Sequence, residues 1–342
     1  MKAIRFHAHG RPEVLKWEDA PEPELRANEV LVCVKACALN HLDLWVRGGL
    51  PGVAFPLPHI PGSDIAGEVA KTGPDVTTVK VGQKVVLAPG VSCGKCAPCV
   101  SGNDNRCRQF TNLGYMIDGG CAEFVKCPEV NCLAYPENLS WVEASAVPLV
   151  FQTAWHMLIA RAELQPGEEV LILGAGSGVG SAAIQIAKFF GARVIATAGT
   201  DEKLAKAREL GADYLINHNA QRIRDEVKRV TNKRGVDVVF EHVGTATWDE
   251  SVASLAVGGR LVTCGNTTGY DAKIDLRFLF SRQLSLLGSY MGVKSELHTV
   301  MKLVAAGRLK PIVDRVFPLA EAVAAHSYLE AGSQFGKVVL AV

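Results

Sequence analysis

A glycine-rich turn between an apolar run and a helical pattern constrains this chain more than any other feature. Residues 170–173 are uniformly apolar, as in a strand buried on both faces, and glycines follow at once. Apolar residues then recur at helical spacing, at Ala183, Ile186, Ala187 and Phe190, and residues 193–197 predict a second strand. This order is that of a βαβ unit, in which backbone N–H groups and a helix N-terminus receive a pyrophosphate.

The glycine pattern itself departs from the usual fingerprint. With Gly180 as the last glycine of G-x-G-x-x-G, Ala175 and Ser177 stand where the first two glycines belong. A tight structural turn is the alternative interpretation. The strand, helix and second strand around the turn favour dinucleotide binding, and the residues expected at the pyrophosphate are Gly174, Gly176, Ser177, Gly178, Val179 and Gly180.

The hydrophobic pattern divides the chain into three segments. Residues 1–150 contain short alternating runs separated by Gly and Pro, which predicts a mostly β domain. Residues 151–289 alternate strands with helices, which predicts an α/β domain with a doubly wound six-stranded parallel sheet; the strand candidates are 169–173, 193–197, 213–217, 236–241, 260–264 and 284–289. We expect residues 290–342 to return to the first domain.

Charge and hydropathy exclude several classes of partner. Lys and Arg number 36 against 35 Asp and Glu, and no long basic or acidic run occurs. This balance argues against nucleic acid and against an anionic membrane as partners. No N-terminal apolar segment and no apolar run long enough to span a bilayer is present, so we expect a cytoplasmic protein.

Four of the ten cysteines lie close together in a Gly-, Asn- and Asp-rich segment. Cys93, Cys96, Cys99 and Cys107 form a C-x2-C-x2-C-x7-C array. Four thiolates suit a closed tetrahedral zinc site, which leaves no coordination position for substrate. Disulfides, or four unrelated cysteines, are disfavoured in a reducing compartment. We therefore predict one structural Zn²⁺ in this lobe, residues 93–107.

With these features the chain resembles the medium-chain dehydrogenase/reductase superfamily, which includes zinc alcohol dehydrogenases and NADPH:quinone oxidoreductases. Residues 62–69 match the family's P-G-x-E-x-x-G-x-V block, and residues 138–158 match the stretch that enters the nucleotide domain. The resemblance implies a GroES-like β-rich catalytic domain split around a Rossmann domain, with the active site in the cleft.

One departure from the family carries most of the functional information. Asn40, Ser63 and Leu149 stand at the three positions that hold the catalytic zinc in zinc alcohol dehydrogenases, and Asp64 replaces the neighbouring Glu. An amide, a hydroxyl and an alkyl group are poor zinc ligands or none. The sequence therefore predicts that the catalytic zinc is absent. An unorthodox metal site built from Asp64 with His41 or His59 remains open.

Other motifs resemble the quinone oxidoreductases. Residues 40–43 resemble their L-N-x-x-D motif, which implies that Asn40 and Asp43 line the cleft near the nicotinamide. A helix cap or turn after the preceding strand is the alternative for both residues. Cofactor contacts are also implied for His41, Thr153, Gly265 and Asn266, with Thr153 offering a catalytic hydroxyl donor; His41 is equally an ordinary hydrogen-bonded histidine.

The end of the second Rossmann strand, residues 198–200, lacks the carboxylate with which NAD-specific domains bind the ribose. Thr200 is expected to cap the next helix, and Lys203 to pair with a 2′-phosphate. Asp201 and Glu202 oppose this interpretation, and a solvated Lys203 is the alternative. We predict NADP(H) as the cofactor.

The combined hypothesis is hydride transfer from NADPH to a quinone or an α,β-unsaturated carbonyl without a catalytic metal. Such acceptors delocalise the charge that hydride addition creates, whereas oxidation of a simple alcohol needs a Lewis acid. Alcohol–aldehyde interconversion at an unusual metal site and a non-catalytic NADPH-binding protein remain alternatives. Residues 283–290 predict an exposed apolar edge strand, from which we expect a homodimer or tetramer.

Overall fold

The computed structural model describes residues 1–342, which divide into two compact units. The first comprises Met1–Leu149 and Val293–Val342, and the second comprises Val150–Gly292. No helix is both long enough and apolar enough to cross a membrane.

The strands, in chain order, are β1 (Lys2–Arg5), β2 (Lys16–Asp19), β3 (Glu29–Ala38), β4 (Asp64–Thr72), β5 (Lys84–Leu87), β6 (Gly90–Val91), β7 (Thr111–Asn112), β8 (Phe124–Pro128), β9 (Cys132–Ala134), β10 (Glu169–Ile172), β11 (Arg193–Ala198), β12 (Tyr214–Asn217), β13 (Val236–Glu241), β14 (Leu255–Thr263), β15 (Ser285–Gly288), β16 (Val313–Pro318) and β17 (Lys337–Ala341).

The α-helices are α1 (His41–Gly48), α2 (Ala97–Val100), α3 (Trp141–Ser145), α4 (Pro148–Trp155), α5 (Gly178–Phe189), α6 (Asp201–Glu209), α7 (Ile223–Val230), α8 (Trp248–Ser254), α9 (Leu276–Ser281), α10 (Lys294–Ala305) and α11 (Ala322–Glu330). A π-helical segment, His156–Arg161, continues α4. Short 3₁₀ turns lie at Pro12–Val14, Asp104–Arg106, Glu129–Asn131 and Leu319–Glu321.

A seven-stranded sheet organises the first unit around β3. On one edge β3 pairs with β4 along most of its length, and on the other edge with β8 in its first half and β17 in its second half. Because β3 has neighbours on both edges, nearly all its residues are buried, and Val32, Leu87, Val125 and Leu340 belong to the core beside it. The C-terminal strand β17 is thereby part of the first unit's sheet.

The second unit contains the predicted Rossmann sheet. Six strands lie in the order β12-β11-β10-β13-β14-β15, and every neighbouring pair is parallel. The doubly wound prediction is therefore confirmed. The core of this sheet includes Leu171, Ile195, Val239 and Leu261.

Two boundaries differ from the sequence patterns. The strand expected at 260–264 begins earlier, at Leu255, because β13 and β14 pair through a register shift that accommodates Gly258 at φ +77°. Helix α5 begins at Gly178, ahead of the apolar pattern that predicted it, because Ser177 caps the helix and accepts the backbone N–H of Gly180.

Candidate functional site

The four cysteines of the lobe converge as their spacing predicts. Their sulfur atoms all lie within 4.8 Å of one another, with Cys93–Cys99 at 3.9 Å and Cys96–Cys99 at 3.4 Å. Four sulfurs at about 2.3 Å from a tetrahedral zinc would lie about 3.8 Å apart. The donor set and its spacing therefore fit a structural zinc ion.

The lobe has little else to hold its shape. Between Ala88 and Leu113 the single buried hydrophobic residue is Cys107. One contact ties the lobe to the rest of the first unit: Asp104, within the lobe, accepts a hydrogen bond from Lys294 Nζ of α10 at 2.9 Å. A metal ion on the four cysteines would give a segment with so little apolar burial a fixed conformation.

Asn40 and Asp43 lie where β3 passes into α1. Asn40 is the N-cap residue of α1, yet its side chain does not cap the helix. The Asp43 carboxylate accepts hydrogen bonds from the backbone N–H of Asn40 at 2.7 Å and from that of Gly62 at 2.8 Å. Burial raises the pKa of Asp43 to about 6, although both backbone hydrogen bonds oppose that shift. Asp43 therefore joins the start of α1 to the loop before β4, and the cap interpretation fits Asp43 but not the Asn40 side chain.

The Asn40 side chain instead joins a buried ion pair. Lys337 Nζ donates to Asn40 Oδ1 at 2.5 Å and to Asp64 Oδ2 at 2.8 Å, and Asn40 Nδ2 donates to the same Asp64 oxygen at 3.0 Å. The Lys337 side chain is 4% exposed and that of Asp64 is fully buried. We call Asn40, Asp43, Asp64 and Lys337 the Lys337 cluster.

Strand pairing explains why these residues meet. Asp64 begins β4 and pairs with Ala38 of β3, whose other neighbour across the sheet is Val339 of β17. Asn40 lies two residues after the end of β3, and Lys337 begins β17. Three chain segments thus bring their polar ends to one end of the sheet. The sequence did not predict a role for Lys337. The one feature that could have indicated it is the position of this lysine at the start of an otherwise apolar strand.

The other two lost ligand positions are also engaged. Ser63 Oγ donates to the Leu113 carbonyl at 2.7 Å, and the Leu149 backbone N–H donates to Asp64 Oδ1 at 2.7 Å. Both Asp64 oxygens therefore already accept hydrogen bonds.

The unorthodox metal site left open by the sequence does not form. His59 Nε2 lies 3.2 Å from the Gly114 carbonyl oxygen, and its Nδ1 lies 3.7 Å from an Asp118 oxygen. Burial lowers the pKa of His59, and both ring nitrogens face the loop that follows β7. The four cysteines are the one group of three or more His, Cys, Asp or Glu side chains whose ligand atoms are close enough to share an ion. His41 and His59 therefore do not complete a metal site with Asp64.

In the second unit the glycine turn has the geometry that a phosphate-binding loop requires. Gly174 has φ +59°, and a Cβ on Gly180 would lie 2.3 Å from the Gly174 carbonyl oxygen, so neither position tolerates a side chain. Ser177 Oγ donates to that carbonyl at 2.8 Å and accepts from the Gly180 N–H. Gly176, Gly178 and Val179 complete the turn and the first helical residues, at the N-terminus of α5.

Three further predicted cofactor contacts lie elsewhere in the second unit. Thr153, on α4, is 5% exposed, and its hydroxyl has no hydrogen-bond partner. A buried hydroxyl of this kind fits the polar carboxamide of a nicotinamide. Gly265 and Asn266 follow β14, and a Cβ on Gly265 would lie 3.0 Å from the His242 carbonyl oxygen. His41, in the first unit, is the first residue of α1.

The predicted residues Thr200 and Lys203 follow β11, and beside them lie two residues that the sequence reasoning missed. Thr200 caps α6 and accepts the Lys203 N–H. Asn219 Nδ2 donates to the Gly199 carbonyl at 2.9 Å, and His218 Nδ1 lies 3.3 Å from Thr197 Oγ1. Burial and the Lys203 ammonium lower the pKa of His218. The sequence feature that could have indicated these two residues is that a His and an Asn follow the third Rossmann strand, β12, which pairs with β11.

Comparison with known proteins agrees with this architecture. Residues 26–137 match the alcohol dehydrogenase GroES-like domain and residues 178–306 match the zinc-binding dehydrogenase family. A solved structure of an NAD-dependent alcohol dehydrogenase is 46% identical, with a TM-score of 0.97 and full coverage of both chains.

Two curated relatives have different names. An NAD-dependent alcohol dehydrogenase of Sulfolobus acidocaldarius is 34% identical, with all of both chains covered. Human quinone oxidoreductase is 29% identical over 99% of this chain and 97% of its own. The two family domains, the fold and these full-length relatives show that the chain belongs to the medium-chain dehydrogenase/reductase superfamily and is an NAD(P)-dependent oxidoreductase.

Proposed function

We propose that the enzyme transfers hydride from NADPH to a quinone or an α,β-unsaturated carbonyl without a catalytic metal. The observation that carries this proposal is the donor chemistry at Asn40, Ser63 and Leu149, together with the saturation of Asp64 by Lys337, Asn40 and the Leu149 N–H. These residues do not fit a catalytic zinc ion. The zinc that the chain retains belongs to the cysteine lobe and has no open coordination position.

The reaction needs little acid–base assistance from the protein. Hydride leaves C4 of the dihydronicotinamide, which becomes NADP⁺, and adds to the β-carbon of an enone or to the quinone. The electron pair of the broken π bond moves to the acceptor oxygen, and a proton from solvent completes the reduction. Asn40 would donate a hydrogen bond to that oxygen and Thr153 to the cofactor, while Asp43 holds the start of α1; most of the acceleration would come from positioning.

The similarity to alcohol dehydrogenases favours a second candidate, reduction of aldehydes or oxidation of alcohols. An alkoxide concentrates its charge on one oxygen, so this chemistry would need a stronger electrophile than an amide N–H. The two candidates therefore differ in whether a second metal ion is needed.

A substrate panel tests the choice. NADPH oxidation is followed with quinones, enones, aldehydes and alcohols as substrates, the last with NADP⁺, and zinc per subunit is measured in the same preparation. We expect turnover of quinones or enones with one zinc per subunit. Turnover of alcohols and aldehydes alone, with activity lost when a second metal ion is removed, would contradict the proposal.

The preference for NADP(H) rests on the end of β11. No carboxylate is present at 198–200, and burial together with the Lys203 ammonium lowers the pKa of His218 beside the strand end. A 2′-phosphate would meet Lys203, the N-terminus of α6 and the Asn219 amide.

Lys203→Ala should raise the dissociation constant of NADPH roughly 10-fold and leave that of NADH within about twofold. Lys206→Ala, one turn further along α6, is the matched control; tighter binding of NADH than NADPH by the wild type would contradict the preference.

We also propose that the protein is a homodimer or a higher oligomer. β15 pairs with β14 alone, so one edge of the Rossmann sheet has no partner, and α9 exposes Leu276, Phe278 and Phe280 close to it in sequence. Apolar edges of this kind are usually covered. Sedimentation should give at least a dimer at micromolar concentration, and Leu287→Lys on β15 should weaken it, whereas a wild-type monomer would contradict the proposal.

A further inference from the structure

Outside the lobe, two pairs of thiols lie close together, and the proposed reaction uses neither pair. The Sγ atoms of Cys37 and Cys121 are 3.9 Å apart, and so are those of Cys127 and Cys132. All four are free thiols. Because a disulfide bond is about 2 Å long, the sulfur atoms of either pair would need to approach by about 2 Å to form one.

The two pairs differ in their access to solvent. Cys37 and Cys121 are both fully buried, and a Cβ on Gly62 would lie 2.6 Å and 2.8 Å from their sulfur atoms. Cys127 is 2% exposed, whereas Cys132 is only half-buried. A cavity of about 860 Å³ in the first unit is also lined by Cys127. A small oxidant in solution therefore has access to the second pair and not to the first.

Cys127 and Cys132 stand on either side of a gap in the sheet. Strand pairing runs from β8 through β3, β4 and β5 to β9, but β8 pairs with β3 alone and β9 with β5 alone. We call the gap between β8 and β9 the seam. Cys127 lies in β8, and Cys132 is the first residue of β9. A bond between their sulfur atoms would cross the seam at a place where no ladder of backbone hydrogen bonds does.

The turn between these two cysteines, Glu129–Asn131, is held by hydrogen bonds at both ends. The Glu129 carboxylate accepts two backbone N–H groups of the loop before β5, each at 2.8 Å. The Asn131 amide donates to the carbonyls of Ala88 and Gly90, each at 2.7 Å. Because both ends of the turn are fixed, the two thiols are held close together, which favours a reaction between them.

We propose that Cys127 and Cys132 are a redox-active pair, which a peroxide oxidises to a disulfide that closes the seam. The Cys132 thiolate attacks one oxygen of hydrogen peroxide, the O–O bond breaks, and a Cys132 sulfenic acid and hydroxide are formed. The Cys127 sulfur then attacks the Cys132 sulfur; the S–S bond forms, the S–O bond breaks, and water leaves with the Cys127 proton. The hydroxide takes the proton that Cys132 had lost, so two thiols and one peroxide give one disulfide and two water molecules.

The surroundings of Cys127 suit the second of these roles. Its hydrogen bond with Cys132 and its burial raise the pKa of Cys127 well above the ordinary value. A buried thiol that keeps its proton reacts slowly with a peroxide, since the thiolate is the nucleophile. Cys132, with its greater exposure, is therefore the residue that meets the oxidant.

Peptide mapping tests the site directly. Trypsin cleaves after Lys126 and Arg161, and the peptide between them contains Cys127 and Cys132 and no other cysteine. In zinc-loaded wild type treated with hydrogen peroxide and then denatured and alkylated, this peptide should be unalkylated and about 2 Da lighter than its reduced form. A phosphine reductant should restore alkylation. Full alkylation of the peptide after peroxide, or a cross-link from Cys127 to Cys93, which lines the same cavity, would overturn the proposal.

The buried pair is the matched control, because its sulfur atoms are equally far apart. Cys37 and Cys121 should remain fully alkylated in the same samples, and equal oxidation of the two pairs would contradict selection by exposure. Single variants test the order of attack. Cys127→Ser should leave a sulfenic acid on Cys132 that dimedone labels, whereas Cys132→Ser should give little label on Cys127. Equal labelling of the two variants would overturn that order.

Amide hydrogen exchange tests the closure of the seam. Oxidation should slow exchange in residues 124–134 about 10-fold, because the disulfide restrains β8 and β9 from separating, and the reductant should reverse this. In Cys132→Ser, peroxide should change exchange in this segment by less than about twofold, and kcat without peroxide should stay within about twofold of the wild type. A disulfide that forms but leaves exchange unchanged would overturn the closure of the seam.

Discussion

The cysteine lobe and the Lys337 cluster belong to the same unit but are stabilised in different ways. The lobe has four convergent thiols and almost no apolar burial. The Lys337 cluster has no set of metal donors; it is buried against the central sheet, and its positive charge is covalently attached to β17. A missing metal ion should therefore disorder the first region, whereas the second can keep its shape through strand pairing and internal hydrogen bonds.

The difference shows what a metal ion contributes in each place. In the lobe a bound ion would replace a hydrophobic core, since ligand binding and folding would be the same event. At the position of the Lys337 cluster, strand pairing and internal hydrogen bonds already hold the segments together.

The largest expected effect comes from removing a lobe ligand. Cys99→Ser should reduce zinc from one per subunit to nearly none and lower Tm by roughly 10 °C, because the lobe loses the ion that organises it. The measurements are metal analysis and thermal unfolding. Cys33→Ser, a half-buried thiol outside the lobe, is the control and should leave zinc unchanged. Full zinc content in Cys99→Ser would remove the basis of the comparison.

A smaller effect is expected from breaking the buried ion pair. Asp64→Asn leaves the Lys337 ammonium without its counterion and should lower the free energy of unfolding by about 3–5 kcal/mol, part of which Lys337→Met should restore in the double variant. The measurement is the denaturant midpoint. Lys84→Met, which breaks an exposed pair with Glu137, should lower the free energy of unfolding by at most about 1 kcal/mol. Similar losses for the two pairs would mean that the Lys337 cluster is no more than a surface salt bridge.

The charge balance of the Lys337 cluster predicts a pH dependence. Asp43 has a native pKa of about 6, above its ordinary value of 3.8, so its contribution to stability is complete below about pH 4 and declines as pH rises through 6. The total decline should be at most about 3 kcal/mol. The Tm advantage of the wild type over Asp43→Asn should therefore be larger at pH 5 than at pH 7.5.

An exposed carboxylate provides the control for that measurement. Asp19→Asn should show no comparable change in its Tm difference between the two pH values, since the Asp19 side chain is 80% exposed. A constant difference for Asp43→Asn across the range would show that Asp43 does not titrate within it.

The smallest expected effect is that of a chelator on activity. Brief treatment that leaves the fold intact should change kcat by less than about twofold, because an ion held by the four cysteines has all four positions filled by protein. Activity is measured beside circular dichroism and zinc content. Loss of activity before any loss of zinc from the lobe would place a metal ion at the reaction centre.

Much of the fold followed from local patterns. The glycine turn with its flanking strands predicted the Rossmann sheet, because glycine at positive φ and close backbone approach leave few other residues possible. The cysteine array predicted its own convergence, since its members are separated by few residues. Register and helix boundaries were less predictable: the early start of β14 depends on a shift against β13, and the start of α5 on the Ser177 cap.

The sequence by itself determined two things about this protein: that four thiols come together, and that the donors for a catalytic zinc are missing. Both depend on residue identity at fixed positions, which a chain displays without folding. Only the tertiary structure decided which side chains surround Asn40 and Asp64. Lys337 reaches Asn40 across 297 residues and Asp64 across 273, through the pairing of β17 with β3 and of β3 with β4. No local pattern encodes such a contact, because the partners of a lysine at the start of a strand are set by the strands beside it.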